Sequence, residues 1–143
     1  VTSIGYSAFS RCTSLSSINI PDSVTSIEDS AFSYCTSLSS VTIGDGISDI
    51  AGVFSSCTNL SSVTIGNGVT SIGYSAFSRC TSLSSINIPD SVTSIEDSAF
   101  SYCTSLSSVT IGDGISDIAG VFSSCTNLSS VTIGNGVTSI GYS

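Results

Sequence analysis

The chain has 143 residues and a formal net charge of −8, and it contains no lysine, histidine, methionine or tryptophan. Two arginines against ten acidic residues disfavour nucleic acid and anionic membranes as partners, because both need basic residues to neutralise phosphate. Without histidine or lysine there is no Ser-His, Cys-His or Ser-Lys pair, so we expect neither an enzyme nor a cofactor. No apolar run approaches the roughly 20 residues that span a bilayer, so this segment is not expected to insert into a membrane.

An internal repeat organises the chain. Residues 1–68 recur without change as residues 69–136, and residues 137–143 begin a third copy. Each 68-residue block divides into three units, giving units 1–23, 24–46, 47–68, 69–91, 92–114, 115–136 and a partial unit 137–143. Stacked units of this length share one continuous core, which predicts a single solenoid. We interpret the chain as a window from a longer array.

The elements of the first unit repeat along the chain. Val1 and Ile4 form a short apolar pair that indicates a short strand. The stretch around Phe9 has room for about one helical or 3₁₀ turn, whereas abundant serine, threonine and β-branched residues disfavour a long helix. Residues 16–20 alternate polar and apolar, as a half-buried main strand does, and residues 21–23 form a turn. We therefore predict a leucine-rich-repeat-like β-solenoid with one main parallel strand per coil of 22–23 residues.

Stacking identical units places equivalent residues on one another. The predicted core ladders are phenylalanine (Phe9, Phe32, Phe54, Phe77, Phe100, Phe122) and cysteine (Cys12, Cys35, Cys57, Cys80, Cys103, Cys125). We interpret the cysteines as buried thiols that donate weak hydrogen bonds to carbonyls. A metal site would need C-x-x-C clusters, and a disulfide staple would need stacked side chains that point toward each other.

The outward residues of the main strands form a hydroxyl-rich face. Its members are Ser17, Asn19, Ser40, Thr42, Ser62, Thr64, Ser85, Asn87, Ser108, Thr110, Ser130 and Thr132. Such a regular array could bind a glycan or an extracellular protein. Ice binding is a more remote alternative, because threonine occupies only part of the face.

Acidic residues and two sequons mark other surface positions. Asp22 and its equivalents follow the main strand, where they are ordinary turn residues or, alternatively, ligands of a calcium ladder. Glu28 and Asp29 are expected at a solvated corner. Asn59 and Asn127 stand in Asn-Leu-Ser sequons and are possible N-glycosylation sites.

The string AF-x-x-C-x-x-L-x-x-[IV]-x-I, seen throughout residues 31–43, identifies a family resemblance. It resembles the BspA-type (treponemal) class of leucine-rich repeats, and the resemblance covers the whole chain. Only Pro21 and Pro89 keep the proline after the strand, and Val53 replaces the alanine before phenylalanine. Such repeats are typical of bacterial and protist cell-surface proteins, so the resemblance implies an extracellular, non-enzymatic array associated with adhesion.

Two functions remain open. The leading hypothesis is a structural array that forms a fibril by continuous or head-to-tail stacking, with further copies of itself as the partner, because identical blocks have complementary ends. The alternative is an adhesion module whose strand face binds a glycan or host protein.

Overall fold

A computed structural model describes residues 1–141, and Tyr142 and Ser143 at the end of the partial unit lie outside the described residues. The described part holds thirteen strands and no helix. The main strands are β2 (Ser17–Ile20), β4 (Ser40–Ile43), β6 (Ser62–Ile65), β8 (Ser85–Ile88), β10 (Ser108–Ile111) and β12 (Ser130–Ile133). The short strands are β1 (Ser3–Ile4), β3 (Ser26–Ile27), β5 (Asp49–Ile50), β7 (Ser71–Ile72), β9 (Ser94–Ile95), β11 (Asp117–Ile118) and β13 (Ser139–Ile140).

Each unit forms one coil with a main strand, a short strand and a turn-rich segment. The strand pairs are parallel, and their register places equivalent residues side by side, as in Val41 beside Val63 and Thr42 beside Thr64. Ile43 is buried while Thr42 before it is exposed, because successive side chains of a strand point to opposite faces. The predicted β-solenoid with one main and one short strand per coil is confirmed.

The segment between the short and main strands is a run of hydrogen-bonded turns rather than a helical or 3₁₀ turn. Ser10 and Cys12 donate their N–H groups to carbonyls three residues earlier, at 3.0 and 3.1 Å. Ser7 and Arg11 have φ values of 54° and 61°, which interrupts a right-handed helix. In the shorter third unit Gly52 takes this left-handed conformation, with a φ of 62°.

Outside the paired strands, backbone hydrogen bonds between coils run in opposite directions on the two sides of the solenoid. Next to the strands the later coil donates, as Gly44 N–H does to the Ile20 carbonyl at 2.8 Å. On the turn side the earlier coil donates, as Phe54 N–H does to the Ala76 carbonyl at 2.9 Å. The two faces of any coil are therefore complementary in their donors and acceptors.

The phenylalanines form a stacked ladder through the core. Neighbouring ring centroids lie 5.1–5.5 Å apart with interplanar angles of 8–20°. The expected burial does not extend to the first coil, where Phe9 is 42% exposed and Cys12 is exposed. Only one neighbouring coil covers that coil within the described residues.

The main-strand sheet is interrupted where the two blocks meet. Strands β6 and β8 are not paired, although the short strands β5, β7 and β9 pair across the same boundary. In the second and third units of each block the residue after the main strand is glycine, and a Cβ on Gly44 would lie only 2.7 Å from the Ile20 carbonyl oxygen. At the boundary this place holds Pro89, which has a Cβ and no N–H to donate. We attribute the interruption to Pro89. Ser91, two residues on, has a buried hydroxyl without a hydrogen-bond partner among the described residues.

Candidate functional site

The predicted strand face is open to solvent. Its twelve residues are exposed except Ser40 and Ser108, which are half-buried. From the third to the sixth coil the face and the following turns form a groove of about 660 Å³. Asn87, Thr110 and Thr132 line it along the strands. The face thus presents hydroxyl and amide groups in one concavity.

The turn aspartates cap the turns of the following coils. Asp22 Oδ1 accepts the Asp45 N–H at 2.9 Å, and Asp45 Oδ1 accepts the Asn67 N–H at 2.7 Å. Asp90 and Asp113 make the equivalent bonds in the second block. These contacts give the aspartates a structural role in the turns. Within residues 1–141 no cluster of three or more histidine, cysteine or acidic residues could hold a metal ion.

Glu28, expected at a solvated corner, makes a specific contact. Its Oε2 accepts the Tyr6 N–H at 2.7 Å, and Glu96 accepts the Tyr74 N–H at 2.8 Å. The equivalent position in the first unit is Gly5, so the first and second units fit each other by complementary residues. This bond could not be predicted from the spacing of the repeat, because the glutamate side chain reaches into the neighbouring coil.

The sequon asparagines lie on the surface. Asn59 and Asn127 are both exposed, and Asn127 Nδ2 donates to the Thr104 carbonyl at 2.7 Å. N-glycosylation at these two positions stays a prediction.

Five of the six thiols are buried and unreactive. Cys57 Sγ donates to the Phe32 carbonyl at 3.2 Å, as expected for a thiol ladder. Burial raises the pKa of Cys57 to about 12 and that of Cys103 to about 12. These two thiols therefore stay protonated at neutral pH, which makes them poor nucleophiles. Cys12 on the first coil is the exposed member.

Both arginines stack on tyrosines at the surface, which the sequence analysis did not anticipate. The Arg11 guanidinium carbon lies 5.3 Å from the Tyr34 ring centroid, and that of Arg79 lies 5.0 Å from Tyr102. A cation over an aromatic face at this distance is a favourable pair. The sequence did place these side chains in neighbouring coils, because arginine, tyrosine and serine occupy the same position in successive units, with Ser56 in the third.

The repeat matches a known family along the chain. The sequence model of the BspA type leucine rich repeat region matches in six copies, over residues 1–70 and 50–143. The T. pallidum leucine rich repeat protein superposes with a TM-score of 0.92 at 33% identity, covering 99% of this chain and 67% of that one. A leucine rich cell surface protein from Faecalibacterium prausnitzii gives a TM-score of 0.79 at 34% identity, covering 82% of this chain and 31% of that one. A leucine-rich repeat protein from Bacteroides ovatus gives a TM-score of 0.75 at 29% identity, covering 99% of this chain and 43% of that one.

This chain thus corresponds to between 31% and 67% of the length of these three proteins. None of the curated protein sequences compared with the chain matches it. Residues 1–141 include no helix that is long and apolar enough to span a membrane. The repeat motif, the coil geometry and these matches agree, and the chain belongs to the BspA-type leucine-rich repeat family.

Proposed function

We propose that this chain is a non-enzymatic structural array, at the cell surface or outside the cell, that lengthens by stacking 68-residue blocks. The observation that carries this proposal is the continuous core at the joint between blocks. The rings of Phe54 and Phe77 are 5.5 Å apart across that joint, and those of Phe32 and Phe54 are also 5.5 Å apart within a block. Further identical blocks can therefore be added without creating a new kind of interface. The description of the F. prausnitzii neighbour as a cell surface protein supports the location.

The same joint can form between separate copies, which would give a fibril. The two faces of a coil are complementary, and a head-to-tail contact of this kind does not close but propagates. Ala8 and Cys12 are exposed on the first coil, whereas the equivalent Ala31 and Cys35 are 0% exposed beneath a neighbouring coil. A second copy stacked on the first coil would bury Ala8 and Cys12 in the same way. Residues 137–141 repeat the sequence of residues 1–5, so one of these two segments must be displaced when a second copy stacks.

Thiol labelling tests stacking between copies. In dilute solution at pH 8, we expect iodoacetamide to label Cys12 and to spare the five buried thiols. At high protein concentration the labelling rate of Cys12 should fall at least several-fold, because stacking covers it. Sedimentation velocity on the same samples should show species larger than the monomer.

The matched control is Ala8→Glu, which places a carboxylate at a site exposed in the monomer and buried in the joint. Burial of an unpaired carboxylate is costly, so this variant should stay monomeric and keep a reactive Cys12 at every concentration. Its thermal unfolding should match that of the parent. A parent protein that stays monomeric with constant Cys12 reactivity would contradict stacking between copies.

Adhesion is the second candidate, favoured by the groove on the strand side. Asn87, Thr110 and Thr132 present polar groups in this groove at the spacing of neighbouring strands. A glycan or extracellular protein bound there would meet the same groups again in each block, which raises avidity. The Thr110→Ala variant used below tests this face.

A further inference from the structure

A second groove lies on the turn side and crosses the boundary between the two blocks. It has a volume of about 360 Å³ and extends from Tyr34 in the second coil to Tyr102 in the fifth, with Arg79 between them. Ser56 lines it at the equivalent position of the third coil. The groove arises because the column that carries arginine and tyrosine in the first two units carries a small serine in the third. Within residues 1–141 this groove therefore lies where one block meets the next.

The groove combines a positively charged side chain, which can bind an anion, with two exposed aromatic rings. Tyr34 and Tyr102 are 50% and 49% exposed, and the Arg79 guanidinium is held 5.0 Å from the Tyr102 ring centroid. None of the residues that line the groove is acidic, although the chain as a whole carries a charge of −8. Half-buried threonines, including Thr58 and Thr81, add hydroxyl groups along one side. A guanidinium is weakly hydrated and matches the geometry of carboxylate and similar oxyanions.

The backbone beneath these side chains is strained. Tyr34, Arg79 and Tyr102 have φ values of 60°, 61° and 58°, in the left-handed region that favours glycine. Ser56 has a φ of 62°, so the turn accepts a small residue at the same position. Strain at bulky residues that contribute little to the core points to a role at the surface.

We propose that the groove formed by Tyr34, Arg79 and Tyr102 binds a linear acidic polysaccharide. Sugar rings pack on the two tyrosines, and a carboxylate or sulfate group accepts hydrogen bonds from Arg79. The tyrosines are three coils apart, about 14–15 Å at strand spacing, so a chain of sugars is needed to contact both. This activity goes beyond the structural role and adds one binding site at each block boundary.

Tyrosine fluorescence provides the readout, because the chain has five tyrosines and no tryptophan. The 143-residue protein is titrated with polygalacturonate, with dextran sulfate and with neutral dextran. A salt concentration of about 0.15 M limits long-range repulsion from the acidic surface to a Debye length of about 8 Å. We expect binding to at least one of the two acidic polymers and none to dextran, and the preferred polymer identifies carboxylate or sulfate as the recognised group.

Two variants test the named residues without loss of the fold. Arg79→Ser and Tyr102→Ser introduce the residue that the chain itself carries at the equivalent Ser56 and Ser124, both with left-handed backbone. Each should weaken binding at least tenfold and leave the circular dichroism spectrum unchanged. The affinity of Arg79→Lys for the acidic polymer should lie between that of these variants and that of the parent, because lysine keeps the charge but not the planar guanidinium.

Ser116→Ala changes an exposed serine outside both grooves, so it is the control and should bind like the parent. Thr110→Ala reports separately on the strand-side groove. The proposal is overturned if neither acidic polymer binds, if dextran binds equally well, or if Arg79→Ser and Tyr102→Ser bind like the parent. Loss of binding in Thr110→Ala alone would also overturn it and assign the site to the strand-side groove. None of these results bears on stacking, which labelling of Cys12 measures.

Discussion

Replacement of Phe77 by alanine is expected to lower the free energy of unfolding by about 3–5 kcal/mol, the usual cost of deleting a fully buried phenylalanine. Phe77 is 0% exposed and stacks on Phe54 at 5.5 Å and on Phe100 at 5.2 Å. The variant leaves a cavity beside both neighbours, and the flanking backbone turns limit its collapse. Urea denaturation followed by circular dichroism measures the change.

Phe9→Ala is the matched control, because it changes the same residue at the same position of the repeat. Phe9 is 42% exposed and stacks on Phe32 alone, so we expect a loss of about 1–2 kcal/mol from its smaller apolar burial. Equal losses for Phe77→Ala and Phe9→Ala would mean that the stacked ladder does not determine the stability of the coils.

Alkaline pH is expected to destabilise the protein steeply. Desolvation raises the pKa of Cys57 and Cys103 to about 12, whereas an unfolded thiol has a pKa of about 8.5. The unfolded chain therefore loses these protons first, and stability that is fully present below about pH 8.5 is lost progressively up to about pH 12. Each of the two thiols should cost about 1.4 kcal/mol per pH unit in that window. Urea denaturation at pH 8, 9 and 10 with reductant present should show a loss of at least about 2–3 kcal/mol between pH 9 and 10, because burial also raises the pKa values of Cys35, Cys80 and Cys125.

The double variant Cys57→Ser/Cys103→Ser tests the cause. A serine hydroxyl can still donate to the carbonyls that accept from the thiols, those of Phe32 and Phe77, but it does not titrate in this range. The variant should have a shallower dependence of stability on pH between 9 and 10. An unchanged slope would show that other groups cause the alkaline loss.

The repeat determined how much of the fold could be predicted. Because identical units stack in register, the position of one Phe32 or Thr42 within its unit fixed the ladder and the outward face of every coil. Burial in the first coil differs, since Phe9 has the same position in its unit as the buried phenylalanines but one neighbouring coil fewer. Local pattern predicts which way a residue points, and the neighbouring coil decides how deeply it is buried.

The features that could not be predicted arise from contacts between unlike units. Pro89 was visible in the sequence as one of two positions that keep the proline after the strand, but its effect on the pairing of β6 with β8 depends on how closely the preceding coil approaches. The stacking of Arg79 on Tyr102 likewise requires the left-handed backbone that directs both side chains outward from adjacent coils. Residue patterns within one unit carry no information on either contact.

The central claim is that the 68-residue block is a unit that stacks without limit into one continuous solenoid. The direct measurement is small-angle X-ray scattering on purified chains that contain two, three and four blocks. The particle should lengthen by roughly 14–15 Å with each block, the rise of three coils at strand spacing, while its cross-section stays constant. A cross-section that grows with block number, or a length that does not increase in equal steps, would contradict the claim.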